Sequence, residues 1–373
     1  MRFTVSSTAL SSRLQALARV ISSKNTLPIL DCFLFQVNNQ VIRLTASDGE
    51  NTFITTLPTT ECEGDGNFAI NNKTILDAIK DLAEQPLTFD IDMESYGMRI
   101  SYQNGVYNFV AQNAETFPTA STLIENATAL SIDADTLLSC INRSLFATAQ
   151  EDIRPVMNGL YFDLSQESLT IVATEGRMLV RNRLFSIKGD PASFILPNKP
   201  AQILKNGLPK CENDVSITFN DRNAMIVFDD FTLVCRLIEG RYPNYNAVIP
   251  QDNPNRIQFE RSAMLSALKR VILFANAASN LVRFDFESGK LTMSSQDIDY
   301  SKSAETNIEC QYEGPAISIG FKGVSMIDIL QNIGCEDVIL ELADQSRAGL
   351  ITPNEQPENQ DVLMLIMPML LSD

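Results

Sequence analysis

A chain of 373 residues with 45% hydrophobic and 20% charged side chains is long enough for two to four ordinary globular domains, and no apolar run approaches the roughly 18 residues that a membrane span needs. It contains no histidine, which removes the commonest general base, the commonest metal ligand and every Ser-His-Asp arrangement. A net charge of −17 argues against a protein coated in nucleic acid, unless its few cations are concentrated in one place.

From the N-terminus, Met1-Arg2-Phe3-Thr4 carries no export signal, and Phe3-Thr4-Val5 reads as a strand that runs into a helix. Apolar residues at 10, 14, 17 and 21 have helical spacing, which predicts a helix over 7–24. Phe33 to Val37 and Val41 to Leu44 alternate with period two about a polar turn at Asn38-Asn39, so they read as a hairpin. Asn67 to Ile70 is a strand feeding a second helix, predicted over 72–84, and the strands 98–102 and 106–110 close the unit. The pattern then returns. Leu130-Ser131-Ile132 and Ile257-Gln258-Phe259 repeat the opening strand, each 127 residues after the last. Lys73, Lys199 and Lys322 mark the second helix of each copy, and Leu44 to Gly49, Ile171 to Gly176 and Leu291 to Ser295 mark a strand ending in a polar turn. Three landmarks in nearly one register establish three repeats, each a doubled strand-helix-strand-strand-strand unit. Hairpin-linked strands imply antiparallel sheets with the helices on one face. The expected domains are 1–125, 129–246 and 247–373, with polar or proline-bearing joints at Ser121 to Ala129 and Asn246 to Arg256. Pro353 to Asp361 reads as an exposed loop.

The remaining helices are predicted over 133–150, 198–210, 260–276 and 322–333. The six together hold thirteen cations and seven carboxylates, a surplus of six, which leaves −23 for the rest of the chain. If the helices share one face, that face attracts phosphate while the remainder repels it. Such attraction is independent of base sequence and sensitive to salt. Arg13, Arg19, Lys24, Lys73, Lys80, Lys199 and Lys205 are the candidate phosphate contacts.

An enzyme is the main alternative. Asp90, Asp92 and Glu94, or Asp297 and Asp299, could bind Mg²⁺, but they alternate along strands or turns as a solvated outer face does. There is no phosphate-binding loop, nucleophile elbow or dinucleotide fingerprint. The seven cysteines, at 32, 62, 140, 211, 235, 310 and 335, include no Cys-x-x-Cys pair, so neither a disulfide framework nor a zinc site is expected, and a reducing cytoplasm fits. A repeat scaffold that binds peptides but not DNA is the second alternative.

Triple repetition, helix-plus-sheet half-repeats and charge segregation together resemble the bacterial beta sliding clamps, the beta subunits of DNA polymerase III. The opening Met1-Arg2-Phe3-Thr4-Val5 and Thr26-Leu27-Pro28-Ile29-Leu30 are similar to the family's first domain. Asn158-Gly159, Ala173 to Leu179, Glu239 to Tyr245 and Met367-Pro368-Met369 are similar to its later signatures. The resemblance implies a non-catalytic α+β clamp fold without cofactor or metal. It implies two chains closed head to tail, with helices lining a hole that holds duplex DNA. Partners implied are the replicative polymerase alpha subunit, the clamp loader, and other polymerases and repair proteins carrying a clamp-binding peptide. Their cleft maps onto Arg154, Met157, Thr174, Gly176, Arg177, Met178 and Leu179 of the second repeat, with Pro243, Val248, Ser346, Leu365, Met367, Pro368 and Met369. Methionines suit such a surface because they adapt to several related peptides. The dimer seam maps onto Phe109, Leu268, Leu273 and Phe274. This chain departs from the family at Ala247, where an arginine is frequent, at Pro155-Val156, which replaces an aromatic pair, at Asn104 and Val106, and in the extra Leu370-Leu371-Ser372-Asp373.

Overall fold

The computed structural model describes residues 1–25, 27–118, 124–150 and 153–371. Thr26 of the first-domain signature, residues 121–123 of the first joint, and Ser372 and Asp373 lie outside them. The first repeat runs β1 (Arg2–Ser6), α1 (Ser7–Leu17), β2 (Cys32–Asn38), β3 (Val41–Ser47), β4 (Asn51–Pro58), β5 (Glu61–Glu63), β6 (Gly66–Asn71), α2 (Asn72–Ile79), β7 (Pro86–Ile91), β8 (Gly97–Tyr102), β9 (Gly105–Val110) and β10 (Gln112–Asn113). The second runs β11 (Thr128–Ile132), α3 (Ala134–Ser144), β12 (Gly159–Leu164), β13 (Leu169–Thr174), β14 (Met178–Leu184), β15 (Ala192–Pro197), α4 (Asn198–Gly207), β16 (Val215–Phe219), β17 (Asn223–Phe228) and β18 (Phe231–Arg236). The third runs β19 (Asn255–Glu260), α5 (Arg261–Val271), β20 (Leu281–Glu287), β21 (Lys290–Asp297), β22 (Lys302–Glu309), β23 (Ile317–Lys322), α6 (Gly323–Asn332), β24 (Asp337–Leu342), β25 (Gly349–Pro353) and β26 (Gln360–Ile366). Apart from the short β5 and β10, this is strand-helix-strand-strand-strand six times.

The helices end earlier than predicted. After α1 the chain continues in tighter turns, with Arg19 N–H donating to Ala16 O and Val20 N–H to Leu17 O. Residues 145–147, 208–210 and 272–274 are single 3₁₀ turns that follow α3, α4 and α5. Apolar spacing of three or four residues is common to both helix types, so periodicity alone runs past the change. Helix starts are better marked: the Ser6 hydroxyl caps Ala9 N–H of α1, and Asn71 caps Thr74 N–H of α2. Within the observed helices eight cations face three carboxylates, a surplus of five, so the charge bias survives the shortening.

The chain forms two compact units, 1–135 with 202–237, and 136–201 with 238–373. In the first unit, β5-β1-β7-β8-β9 form a five-stranded sheet and β10-β6-β2-β3-β4-β18-β17-β16-β11 a nine-stranded one. Adjacent strands are antiparallel throughout, and β4 joins β18 with Asn51 opposite Cys235. In the second unit, β15-β12-β13-β14-β26-β25-β24-β19 form an eight-stranded sheet, joined where β14 meets β26, and β22-β21-β20-β23 a four-stranded one. Each unit is cored by aromatic pairs: Phe3 stacks on Phe89 at 4.7 Å and Phe35 on Phe68 at 5.1 Å in the first, and Phe162 stacks on Phe194 at 4.5 Å in the second.

Asp297 is not part of a solvated face: it is 2% exposed, at the end of β21, with Lys302 Nζ 3.7 Å away across the hairpin. Leu268 is not a surface residue either. With Met264, Ala267 and Val271 it forms the buried stripe of α5, whereas Leu273 and Phe274, in the 3₁₀ turn beyond, are 71% and 39% exposed. Among the described residues no helix is long and apolar enough to cross a membrane.

Candidate functional site

All fourteen residues expected to form the cleft belong to the second unit. The turn between β13 and β14 is built by its own side chains. The Thr174 hydroxyl donates to Met178 O at 2.6 Å and accepts from Gly176 N–H at 3.0 Å. Glu175 Oε1 accepts from Arg177 N–H and Met178 N–H at 2.8 and 2.6 Å, so its charge is spent on the backbone. Gly176 has φ +98°, a conformation that L side chains rarely adopt. A side chain filling the cleft is one reason for a glycine here. The backbone conformation is the stronger reason, and an added Cβ would also come within 3.3 Å of Arg154 Nη1.

This turn forms one wall of a cavity of about 330 Å³ whose other lining residues are Ala149, Ile153, Arg154 and Met157. Arg154 and Arg177 are both exposed, so the rim is positive on a chain that is acidic overall. Met157, Thr174, Met178, Leu179 and Leu365 are buried, and of these only Met157 lines that cavity. Leu179 lies opposite Leu365 across the β14–β26 pair. Both belong to one apolar cluster with Tyr242, Tyr245, Ile249, Ala348 and Leu350.

The segment 238–249 is a strap across this sheet. Tyr242 stacks on Tyr161 at 4.5 Å with the rings 3° from parallel, and the Tyr245 hydroxyl donates to Asp163 at 2.9 Å. Burial, reinforced by that carboxylate, pushes the Tyr245 hydroxyl up to about 12. The strap carries Pro243, half-buried, and delivers Val248 with 56% of its surface exposed. Ser346 is exposed, and its hydroxyl and N–H are both held by the Asp344 carboxylate, so it is less free to meet a ligand than expected. Beyond β26, Met367 N–H donates to Arg177 O at 2.8 Å, and Met369 N–H to Gly320 O at 2.8 Å. Met367 is 42% exposed while Pro368 and Met369 are half-buried. Burial pushes the Cys140 and Cys235 thiols up to about 12, which leaves them inert.

Sequence reasoning misses Ile153, 81% exposed at the cavity rim, the Tyr161–Tyr242 stack and the Gly320 contact. None has a local signal, since each depends on which strands become neighbours.

The candidate phosphate contacts sit in varied settings. Arg13 is on α1, but its guanidinium pairs with Asp230 at 2.6 Å and lies 4.9 Å over the Phe231 ring. Lys80 follows α2 and pairs with Asp77 at 2.7 Å, a bond that raises its pKa. Lys73 is exposed on α2, while Lys199 and Lys205 are half-buried on α4. Arg19 and Lys24 are exposed but lie beyond the end of α1. Phe109 is half-buried on β9, an edge strand whose Val106 and Val110 are exposed.

Three family models match the chain: the DNA polymerase III beta subunit N-terminal domain over residues 1–121, its central domain over 131–244 and its C-terminal domain over 246–370. The chain is 26% identical to the beta sliding clamp of Pseudomonas putida KT2440, over all of both chains. It is similar in structure to the DNA polymerase III subunit beta of Pseudomonas aeruginosa, with a TM-score of 0.93 at 24% identity and complete cover of both chains. The same figures hold for a sliding clamp from that organism solved bound to griselimycin.

Proposed function

Because the chain belongs to the family of the DNA polymerase III beta subunit, the beta sliding clamps, we propose that it is a processivity clamp that encircles duplex DNA and tethers a replicative polymerase. The observation that carries this reading is the agreement of three family domains with six copies of one half-repeat over nearly the whole chain. The protein acts in the cytoplasm and catalyses nothing itself; its work is topological.

Its domains are 1–125, 129–246 and 247–373. Two copies close head to tail. Phe109 on the edge strand β9 and the exposed Leu273 and Phe274 form the seam, and β22 ends the four-stranded sheet as β9 ends the five-stranded one. Leu268 supports that surface from the core rather than lying in it. Lys73, Lys199, Lys205, Arg19 and Lys24 touch phosphate without reading bases, and Arg13 and Lys80 do so only at the expense of their carboxylate partners.

The replicative polymerase alpha subunit, the clamp loader, and other polymerases and repair proteins share the cleft of the second unit. Each inserts a short extended segment in which glutamine is followed by leucine and by an aromatic or leucine. Burial of one leucine-sized side chain is worth about 1.5–3 kcal/mol, so two anchors supply about 3–6 of the roughly 8 kcal/mol that micromolar binding requires, and polar contacts along the segment supply the rest and offset the ordering costs. The decisive experiment is retention of the protein on closed circular DNA. A clamp stays on the circle and runs off when the circle is cut, whereas a peptide-binding scaffold is retained by neither form. Removing residues 367–373 abolishes peptide binding and leaves the dimer, because the seam lies elsewhere; full-strength binding to a truncated dimer would show the cleft to be misplaced.

A further inference from the structure

The three repeats end in the same way. In each, the chain leaves the last strand and returns to the residue three places before the second helix. Gln112 pairs with Ala69, Ile238 N–H donates to Ile195 O at 3.1 Å, and Met369 N–H donates to Gly320 O at 2.8 Å. In the first two repeats this pairing fastens a segment that continues into the next repeat. In the third it fastens the C-terminal tail.

The third closure differs in its packing. An added Cβ on Gly320 would lie 2.7 Å from Met369 O, and 2.9 Å from both Leu281 Cδ1 and Leu371 Cδ2. The equivalent positions carry Ala69 and Ile195. The space a side chain would occupy at Gly320 is therefore taken by the tail itself, with Leu371 seated beside Leu281. Leu370, the residue between, is 89% exposed. The tail thus has two pegs on two sheets of the same unit: Met367 on Arg177 at the β14 end, and Met369 on Gly320 of β23. Pro368, which has no N–H to donate, spans them.

We propose that Gly320 and Leu371 are positioning residues for the peptide cleft, a latch that holds the Met367–Met369 wall in place before a ligand arrives. This deepens the cleft assignment above and rests on it. Neither residue needs to touch the peptide. Without the second peg, residues 367–369 hang from Arg177 alone, and a ligand must order them as it binds.

The test uses the full-length dimer, calorimetry with an acetylated Gln-Leu-Ala-Leu-Phe pentapeptide, and ¹³C-methyl methionine spectra. Leu371→Ser removes the apolar insert, and Gly320→Ala puts a methyl group 2.7 Å from the Met369 carbonyl oxygen, closer than the tail can tolerate without moving. Each should weaken the peptide about tenfold, the scale of ordering one or two side chains. Each should also move the Met367 methyl resonance toward its unfolded position in the absence of peptide. Dimer mass and melting temperature should stay unchanged, and Leu371→Met should restore affinity. Unaltered affinity and an unaltered Met367 resonance in both variants would overturn the latch. Failure of the unsubstituted protein to bind the peptide would instead overturn the cleft assignment, and the methyl spectra would still decide whether the tail is held.

Discussion

Replacing Tyr242 by alanine removes one of the two buried tyrosine rings that fasten the strap to the eight-stranded sheet. The ring is 6% exposed and stacks face to face on Tyr161 at 4.5 Å. Deleting a buried aromatic ring costs about 3–5 kcal/mol, of which the stack supplies about 0.5–1.5 kcal/mol. For a cooperative unit of this size, each kcal/mol moves the melting temperature by about 2–4 °C, so Tyr242→Ala should lower the melting of the second unit by about 6–20 °C. Tyr242 shares its cluster with Leu179 and Leu365, which the proposed cleft includes, so on that proposal the pentapeptide should bind less tightly at a temperature where the variant is still folded. Tyr242→Phe keeps the ring and should retain most of both properties. Differential scanning calorimetry with and without peptide reads both effects. A melting temperature unchanged in Tyr242→Ala would refute the reasoning, since it would mean that the strap lies on the sheet without contributing to its stability.

Leu273→Asp together with Phe274→Asp should yield monomers by light scattering at micromolar concentration, whereas Leu268→Ala should leave the mass unchanged and cost about 2–5 kcal/mol of stability as a core cavity; a dimer that survives the double substitution would remove those residues from the seam. Neutralising Lys73, Lys199 and Lys205 should lower retention on DNA of any sequence and reduce the salt slope by about one for each phosphate that is no longer neutralised, and an effect confined to one sequence would contradict non-specific binding. The Glu84 carboxyl is held below the ordinary carboxylate range by hydroxyl bonds from Thr8, then Ser6. A depressed folded value means that its stabilisation is complete above the unfolded value and is lost as pH falls through the folded one. The stability gap between wild type and Glu84→Gln, followed by urea midpoints, should therefore be constant near neutrality and close in acid; a gap that widens in acid would reverse the assignment.

The repeats are legible in the sequence because their landmarks are local. The strands at 3, 130 and 257 and the helix starts at 72, 198 and 323 depend on alternation and on residues a few places away. Leu268 is legible too, since 264, 267, 268 and 271 have core-facing spacing, but its apolar neighbours Leu273 and Phe274 draw it toward the surface when the three are taken together. The proposed cleft is legible only through family resemblance. Nothing near Thr174 in the sequence says that Leu365 will lie across from Leu179, because that pairing joins strands from different repeats. The burial of Asp297 is legible by contrast: it is in phase with Leu291, Met293 and Ser295 on β21, and the alternation of that strand puts all four on the buried face, although the run of carboxylates at 297 and 299 draws the reading toward solvent.

Both long sheets are sewn from two repeats, and the second repeat gives one half to each. Asn51 waits for Cys235, and Met178 for Ile366, partners roughly 180 residues downstream, so closure of either sheet is a late and slow event. During synthesis β4 emerges with its outer edge unpaired until β18 follows, and β14 then stands open until the last strand of the chain is made. A ribosome that stalls between these points releases a chain with a bare sheet edge, the surface most prone to capture by another strand. The same sewing makes the repeats inseparable in practice: a fragment cut at either sequence joint would keep its motif and lose its neighbour, so it should aggregate rather than fold as a third of the protein.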